Sequence, residues 1–226
     1  SSKPDSALKL LQLMTRIPEN RAIKARYALL YTEALHKNLV KVTSDSLIDI
    51  ALDYYPKTND WQRTAKTYFY KGKIYSTNNE WKKACENLLQ AEQLALKTND
   101  QKLLGLIYNE LGEIYWYQDY IEDAFKYYQL SYKYFLNEAD SLNANYILGS
   151  IAGCYLGKNK LDSAYIHYDK ALKFFKEERD TKEISYLESA LLYVCFLTEN
   201  TKRIHEIFAK NKKDTTNSFN RYVILS

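Results

Sequence analysis

A chain of 226 residues with 46% apolar and 27% charged side chains can bury a sizeable core, which excludes a disordered or fibrous protein. Six Gly and three Pro leave little turn chemistry for an all-β fold, whereas the plentiful Leu, Ala, Lys and Glu favour helices. The net charge of +4 comes from interspersed acids and bases without a long basic stripe, which argues against nucleic acid, and no apolar run reaches the roughly 18 residues of a membrane span.

In chain order, residues 5–16 read as a lone helix, the second half of a pair whose first half lies upstream. A first full pair covers about 21–56, opened by Asn20. Lys57-Thr58-Asn59-Asp60 then recurs unchanged as Lys97-Thr98-Asn99-Asp100, 40 residues later. The same step lands on Asp140 and Asp180 and, outward, on Asn20 and Asn220. Asp and Asn at these places predict helix N-caps, because a side-chain oxygen can accept an N–H of the first turn. Asp180 with Glu183 also has the spacing of a capping box. First helices are therefore expected at 61–77, 101–117, 141–157 and 181–197.

A second punctuation falls midway through each unit, at Asn38, Asn78, Gln118-Asp119, Lys158-Asn159 and Glu199-Asn200. Each is a short polar break of the kind that joins antiparallel helices. Second helices then lie near 81–96, 121–136, 161–177 and 202–211. The units run about 20–58, 60–98, 100–138, 140–178 and 180–213. A further first helix opens at 220–226, so the natural protein is expected to continue past Ser226.

Small and large residues recur at the same step. Gly72, Gly112 and Ala152 fall inside first helices, with Tyr75, Tyr115 and Tyr155 three residues on. Second helices carry Ala84, Ala124 and Ala164, then Leu88, Tyr128 and Tyr168, then Ala91, Ser131 and Ala171. A glycine inside a helix costs about 1 kcal/mol against alanine, so its recurrence predicts a very close helix–helix approach. A single pair cannot hide its apolar face, and stacking is required.

Those positions resemble the tetratricopeptide repeat. Gly112, Tyr115, Ala124, Tyr128 and Ser131 match its pattern, as do Ala152, Tyr155, Ala164, Tyr168 and Ala171, and Pro56 falls at its closing proline. The resemblance implies an all-α, right-handed α-solenoid superhelix of antiparallel helix pairs, read as one domain over 1–226. The units are longer than the family's usual 34 residues, resembling those of some bacterial peptide-sensing regulators. Thr32 and Ser44 in the first unit and Ile204-His205 in the last depart from the small apolar slots. Leu29, Glu33 and Glu110 do not suit the acidic-peptide clamp of chaperone-binding members. The Tyr-rich, 40-residue style and the opening Ser-Ser-Lys-Pro-Asp-Ser-Ala are also similar to a Bacteroidetes group. There, such repeats form the exported part of membrane-tethered regulators, which implies a periplasmic or membrane-tethered location.

The residues themselves point to no reaction. His36, His167 and His205 lie in different units, none with a metal ligand at suitable spacing. Cys85, Cys154 and Cys195 fit neither a disulfide framework nor a zinc site and read as small buried hydrophobes. Most of the 22 Tyr suit packing with the hydroxyl at the rim. No cofactor, metal or catalytic residue is expected. An enzyme or small-molecule binder using the hollow of the solenoid is the alternative, and it would need a deep pocket gathering His and carboxylates.

The family's inner face, carried over by position, implies a groove for a protein or peptide. It would take Arg26, Leu29, Glu33 and His36, then Lys66, Phe69, Lys73 and Ser76. Leu106, Asn109, Glu113, Trp116 and Tyr117 would follow, and then Tyr146, Gly149, Gly153 and Leu156. Phe69, Trp116 and Tyr117 are the expected aromatic anchors, with Lys66, Lys73 and Glu113 setting orientation. Gly149, Gly153 and Gly157 form a bare stripe that either a bound peptide or a neighbouring first helix could approach.

Overall fold

A computed structural model of the chain describes residues 4–14 and 19–199. All regular structure among them is helical. The chain divides into two compact units, Ser1–Ser141 and Leu142–Ser226.

The first unit contains α1 (Pro4–Gln12), α2 (Arg21–Lys37), α3 (Ser46–Leu52), α4 (Trp61–Thr77), α5 (Trp81–Thr98), α6 (Gln101–Tyr117) and α7 (Ile121–Asn137), with a 3-10 turn at Tyr55–Lys57. The second contains α9 (Leu161–Glu178) and α10 (Thr181–Leu197); α8 (Ser141–Gly157) starts at the border and lies almost wholly within it. The second helix expected at 202–211 and the helix opening at 220–226 fall outside the described residues.

The caps work as their chemistry requires. Asn20 accepts from the amides of Ala22 and Ile23 at 2.9 and 3.2 Å. Asp60, Asp100 and Asp180 each accept from the amide three residues on, at 3.0, 3.0 and 3.1 Å. Between helices the chain turns through one left-handed residue: Leu39, Asn79, Asn99, Asp119, Ala139, Asn159, Arg179 and Glu199 all have φ between 53° and 62°. Asn and Asp visit that region easily, whereas Leu, Ala, Arg and Glu do so at a cost.

Two places depart from expectation. The lone first helix stops at Gln12, earlier than the 5–16 range. In the 21–56 pair the second helix is only the seven residues of α3, followed by the 3-10 turn around Pro56. The β-branched residues Val40, Val42 and Thr43 resist helix before α3, and after it Pro56, which lacks an N–H to donate, cannot extend the α-helix.

Packing within each pair uses the small slots. A Cβ on Gly72 would lie 2.8 Å from Leu88 Cγ, and one on Gly112 would lie 2.7 Å from Tyr128 Cδ1. Gly105 meets Phe135 in the same way, at 2.9 Å from Cε1, and its carbonyl accepts from Ser131 Oγ at 2.7 Å. Seven residues forward along α6 are thus seven back along α7, which makes the pair antiparallel. Ala84, Ala124, Ala164, Leu88, Tyr128, Tyr168, Ala91, Ser131 and Ala171 are all buried. The core of the first unit runs continuously from Ala25 in α2 to Ile114 in α6.

Candidate functional site in the first unit

Helices α2, α4 and α6 lie side by side in the first unit, each the opening helix of its pair. Their shared face holds a polar cluster. Lys73 of α4 donates to Glu110 Oε2 of α6; the Lys73 side chain is 30% exposed and that of Glu110 only 6%. Glu113, one turn on, is half-buried and accepts from Asn109 Nδ2 at 3.3 Å. From α2, His36 stacks on Tyr70 of α4 with ring centroids 5.4 Å apart, and its buried Nε2 has no hydrogen-bond partner. Phe69 packs edge-on against Tyr70, with the Lys73 ammonium 5.8 Å above its centroid.

Burial sets the protonation states here. It opposes the charge of Lys73, but the pair with Glu110 and the field of Glu113 outweigh it and hold the ammonium above its ordinary pKa. For Glu113, burial and then the neighbouring Glu110 raise the carboxyl above the usual range, against the pull of Lys73 and Asn109. His36 is lowered to about 4, chiefly by burial and then by Lys73, with Glu110 opposing. At neutral pH His36 is therefore an uncharged imidazole and Lys73 keeps its ammonium, while the carboxyl of Glu113 is held toward its protonated form.

Above the cluster Trp116 is 38% exposed, three residues beyond Glu113 on the same side of α6. Tyr117 is 72% exposed and stacks on Trp81 of α5, centroids 6.3 Å apart, so it borders the α4–α5 turn. Arg26 is exposed on α2 and Lys66 half-buried on α4. Phe69, expected as a surface anchor, is 3% exposed and belongs to the core beneath the cluster. Residues flanking an apolar stripe at helical spacing face either core or groove, and the sequence pattern alone does not separate them.

The remaining candidates belong to the second unit. Tyr146 is partly exposed; its ring packs on Phe175 at 4.7 Å and its hydroxyl donates to Asp180 at 3.0 Å. Burial, and then that bond, push its phenol up to about 12. Gly149 is buried, yet a Cβ there would meet only Leu187 Cδ2, at an ordinary 3.6 Å. No backbone crowds it. Within the described chain no backbone therefore closes on the stripe at Gly149, and Gly153 is half-buried.

Glu110 was legible as a groove-face position, but its burial and its pairing with Lys73 were not. Glu110 sits among Leu103, Ile107, Leu111 and Ile114 on the apolar stripe of α6, and a charge on that stripe is the signal that marks it. Among the described residues, no group of three or more His, Cys, Asp or Glu is placed to hold a metal ion, and no helix is long and apolar enough to cross a membrane.

Solved structures show the same helical arrangement. BtubC (BKLC) from P. vanneervenii superposes with a TM-score of 0.73 at 14% identity, over 93% of this chain and 87% of that one. The fold is TPR-like. A kinesin light chain-like protein of Podosopora anserina with nearly identical TPR-like repeats gives 0.65 at 11% identity, over 88% of this chain and all of the other. Aspartyl phosphate phosphatase F from Bacillus subtilis gives 0.68 at 14% identity, over 89% of this chain and 62% of its own length. At these identities the likeness establishes architecture and leaves activity open. No protein-family model and no curated protein matches the sequence.

Proposed function

We propose that this chain is a non-enzymatic binding module whose first unit holds a peptide or helix of a partner protein along the shared face of α2, α4 and α6. The observation that carries this reading is Trp116, a large aromatic left partly open beside a desolvated, charged floor of Lys73, Glu110, Asn109 and Glu113. A rigid aromatic over oriented polar groups is the composition of a binding hot spot. The TPR-like fold supports the same reading by analogy. The cluster does gather an imidazole and two carboxylates, as an enzyme reading would want. However, the His36 Nε2 is enclosed and Lys73 is committed to Glu110, so neither can reach a substrate as a free acid or base.

On this reading the helix starts at Trp61, Gln101, Ser141 and Thr181 mark the 40-residue step of one repeat array. The module would serve as the sensing part of a longer bacterial regulator, held in the periplasm or tethered to a membrane; the Tyr-rich style of the repeats supports that placement. Panning a random peptide-display library on the full chain tests the binding reading. Recovered peptides should lose about tenfold or more in affinity for Trp116→Ala/Tyr117→Ala, with far-UV circular dichroism unchanged. Equal binding by the folded double variant would remove the site from this face.

A further inference from the structure

The pairing within the cluster is incomplete, and the gap specifies a ligand. We propose, building on the binding reading above, that the partner segment presents a cationic side chain to Glu113, with arginine the best fit and its plane laid on Trp116.

From α4 the face supplies one cation near Glu113, Lys73, and that ammonium already donates to Glu110. From α6 come the carboxyl groups of Glu110 and Glu113 and the amide of Asn109. From α2 comes His36, a neutral imidazole at physiological pH. Among the described residues, Glu113 is the carboxyl of this cluster that has no cation paired to it. Its carboxyl group accepts one hydrogen bond among the described residues, the 3.3 Å contact from Asn109, longer than the usual 2.9–3.0 Å for N–H···O. Ionising a carboxyl taken partly out of water with so little compensation is costly until a partner supplies the missing positive charge.

Geometry narrows the cation. Glu113 and Trp116 are three residues apart on α6, hence neighbours on one helix surface, and both reach solvent. A carboxylate beside an indole face suits a guanidinium, which donates a two-pronged pair of hydrogen bonds and stacks on an aromatic ring. Lysine fits the charge but not the fork. An acidic segment would meet Glu110 and Glu113 and a lysine already engaged, so the cluster offers it no free cation.

Peptides recovered from the random display library on the full chain are the probe. They should share an arginine or lysine next to an apolar residue. Replacing that cation with norleucine, and separately Glu113→Gln in the protein, should each weaken binding by about tenfold or more. The two changes together should cost little more than either alone, as for groups that contact each other. Should Glu113→Gln fail to fold, the norleucine exchange against the unaltered chain decides. Peptides that are acidic, or whose binding falls in Trp116→Ala but not in Glu113→Gln, overturn the cationic assignment and leave the binding reading intact. Recovery of no peptide, or binding indifferent to both variants, overturns both.

Discussion

Glycine shows how one residue type carries opposite meanings along this chain. At Gly112 the Tyr128 ring occupies the space a methyl would need, so Gly112→Ala forces two buried helices apart. The gain in helix propensity, about 1 kcal/mol, is outweighed by overpacking of about 1–3 kcal/mol. Gly149→Ala meets only an ordinary contact with Leu187 and should stabilise by up to about 1 kcal/mol. Urea unfolding of the two variants should move the midpoint in opposite directions. The titrating residues oppose each other likewise. His36 has a folded pKa near 4 against an ordinary 6.5, so its contribution is present above 6.5 and lost as pH falls through 4. Glu113 has a raised folded pKa, so its contribution is present below the ordinary carboxyl value of 4.5 and lost as pH rises through the folded one. His36→Phe, which keeps a ring on Tyr70, should remove an acid-side loss on the order of 2 kcal/mol. It should leave the opposite trend of Glu113 visible in thermal melts between pH 4 and 7.

At the scale of elements, caps and turns set the helix limits, while a buried ion pair ties α4 to α6. Lys73→Met strips Glu110 of its counter-charge at 6% exposure, and breaking such a pair from one side costs about 3–5 kcal/mol. Adding Glu110→Gln should recover much of that loss in a double-mutant cycle, because the stranded charge is the expensive part. The turns offer the converse. Ala139 at φ 53° and Arg179 at φ 59° hold a left-handed conformation that glycine adopts freely. Ala139→Gly and Arg179→Gly should each raise stability by about 0.5–1 kcal/mol in chemical denaturation. Asn99→Gly should change little, since Asn already tolerates that region.

At the scale of the whole molecule, contacts among the described helices are mostly between sequence neighbours, as repeat folds require. The first unit has its own continuous core, so a fragment of residues 1–141 should keep helical circular dichroism and unfold cooperatively; a non-cooperative melt would show that its core depends on the rest of the chain. Helix limits from Trp61 to Leu197 were legible in sequence because they rest on local chemistry: capping side chains, polar turns and a 3.6-residue apolar period, none of which needs a distant partner. The small slots at Gly72 and Gly112 were legible for the same reason, since a glycine repeated inside a helix has a cost that only close packing explains. The site was legible only in outline. Lys73, Asn109, Glu113, Trp116 and His36 could be placed on one face, but that Phe69 lies beneath it and that Glu110 pairs with Lys73 depend on how far α2, α4 and α6 are rotated about their axes when they pack. Rotation is set by side chains from several helices meeting at once, and a shift of a few tens of degrees exchanges core for surface. Sequence by itself determined where helices begin, end and must touch; tertiary packing decided which charges were buried together, because desolvation and pairing exist only once separate helices share a face.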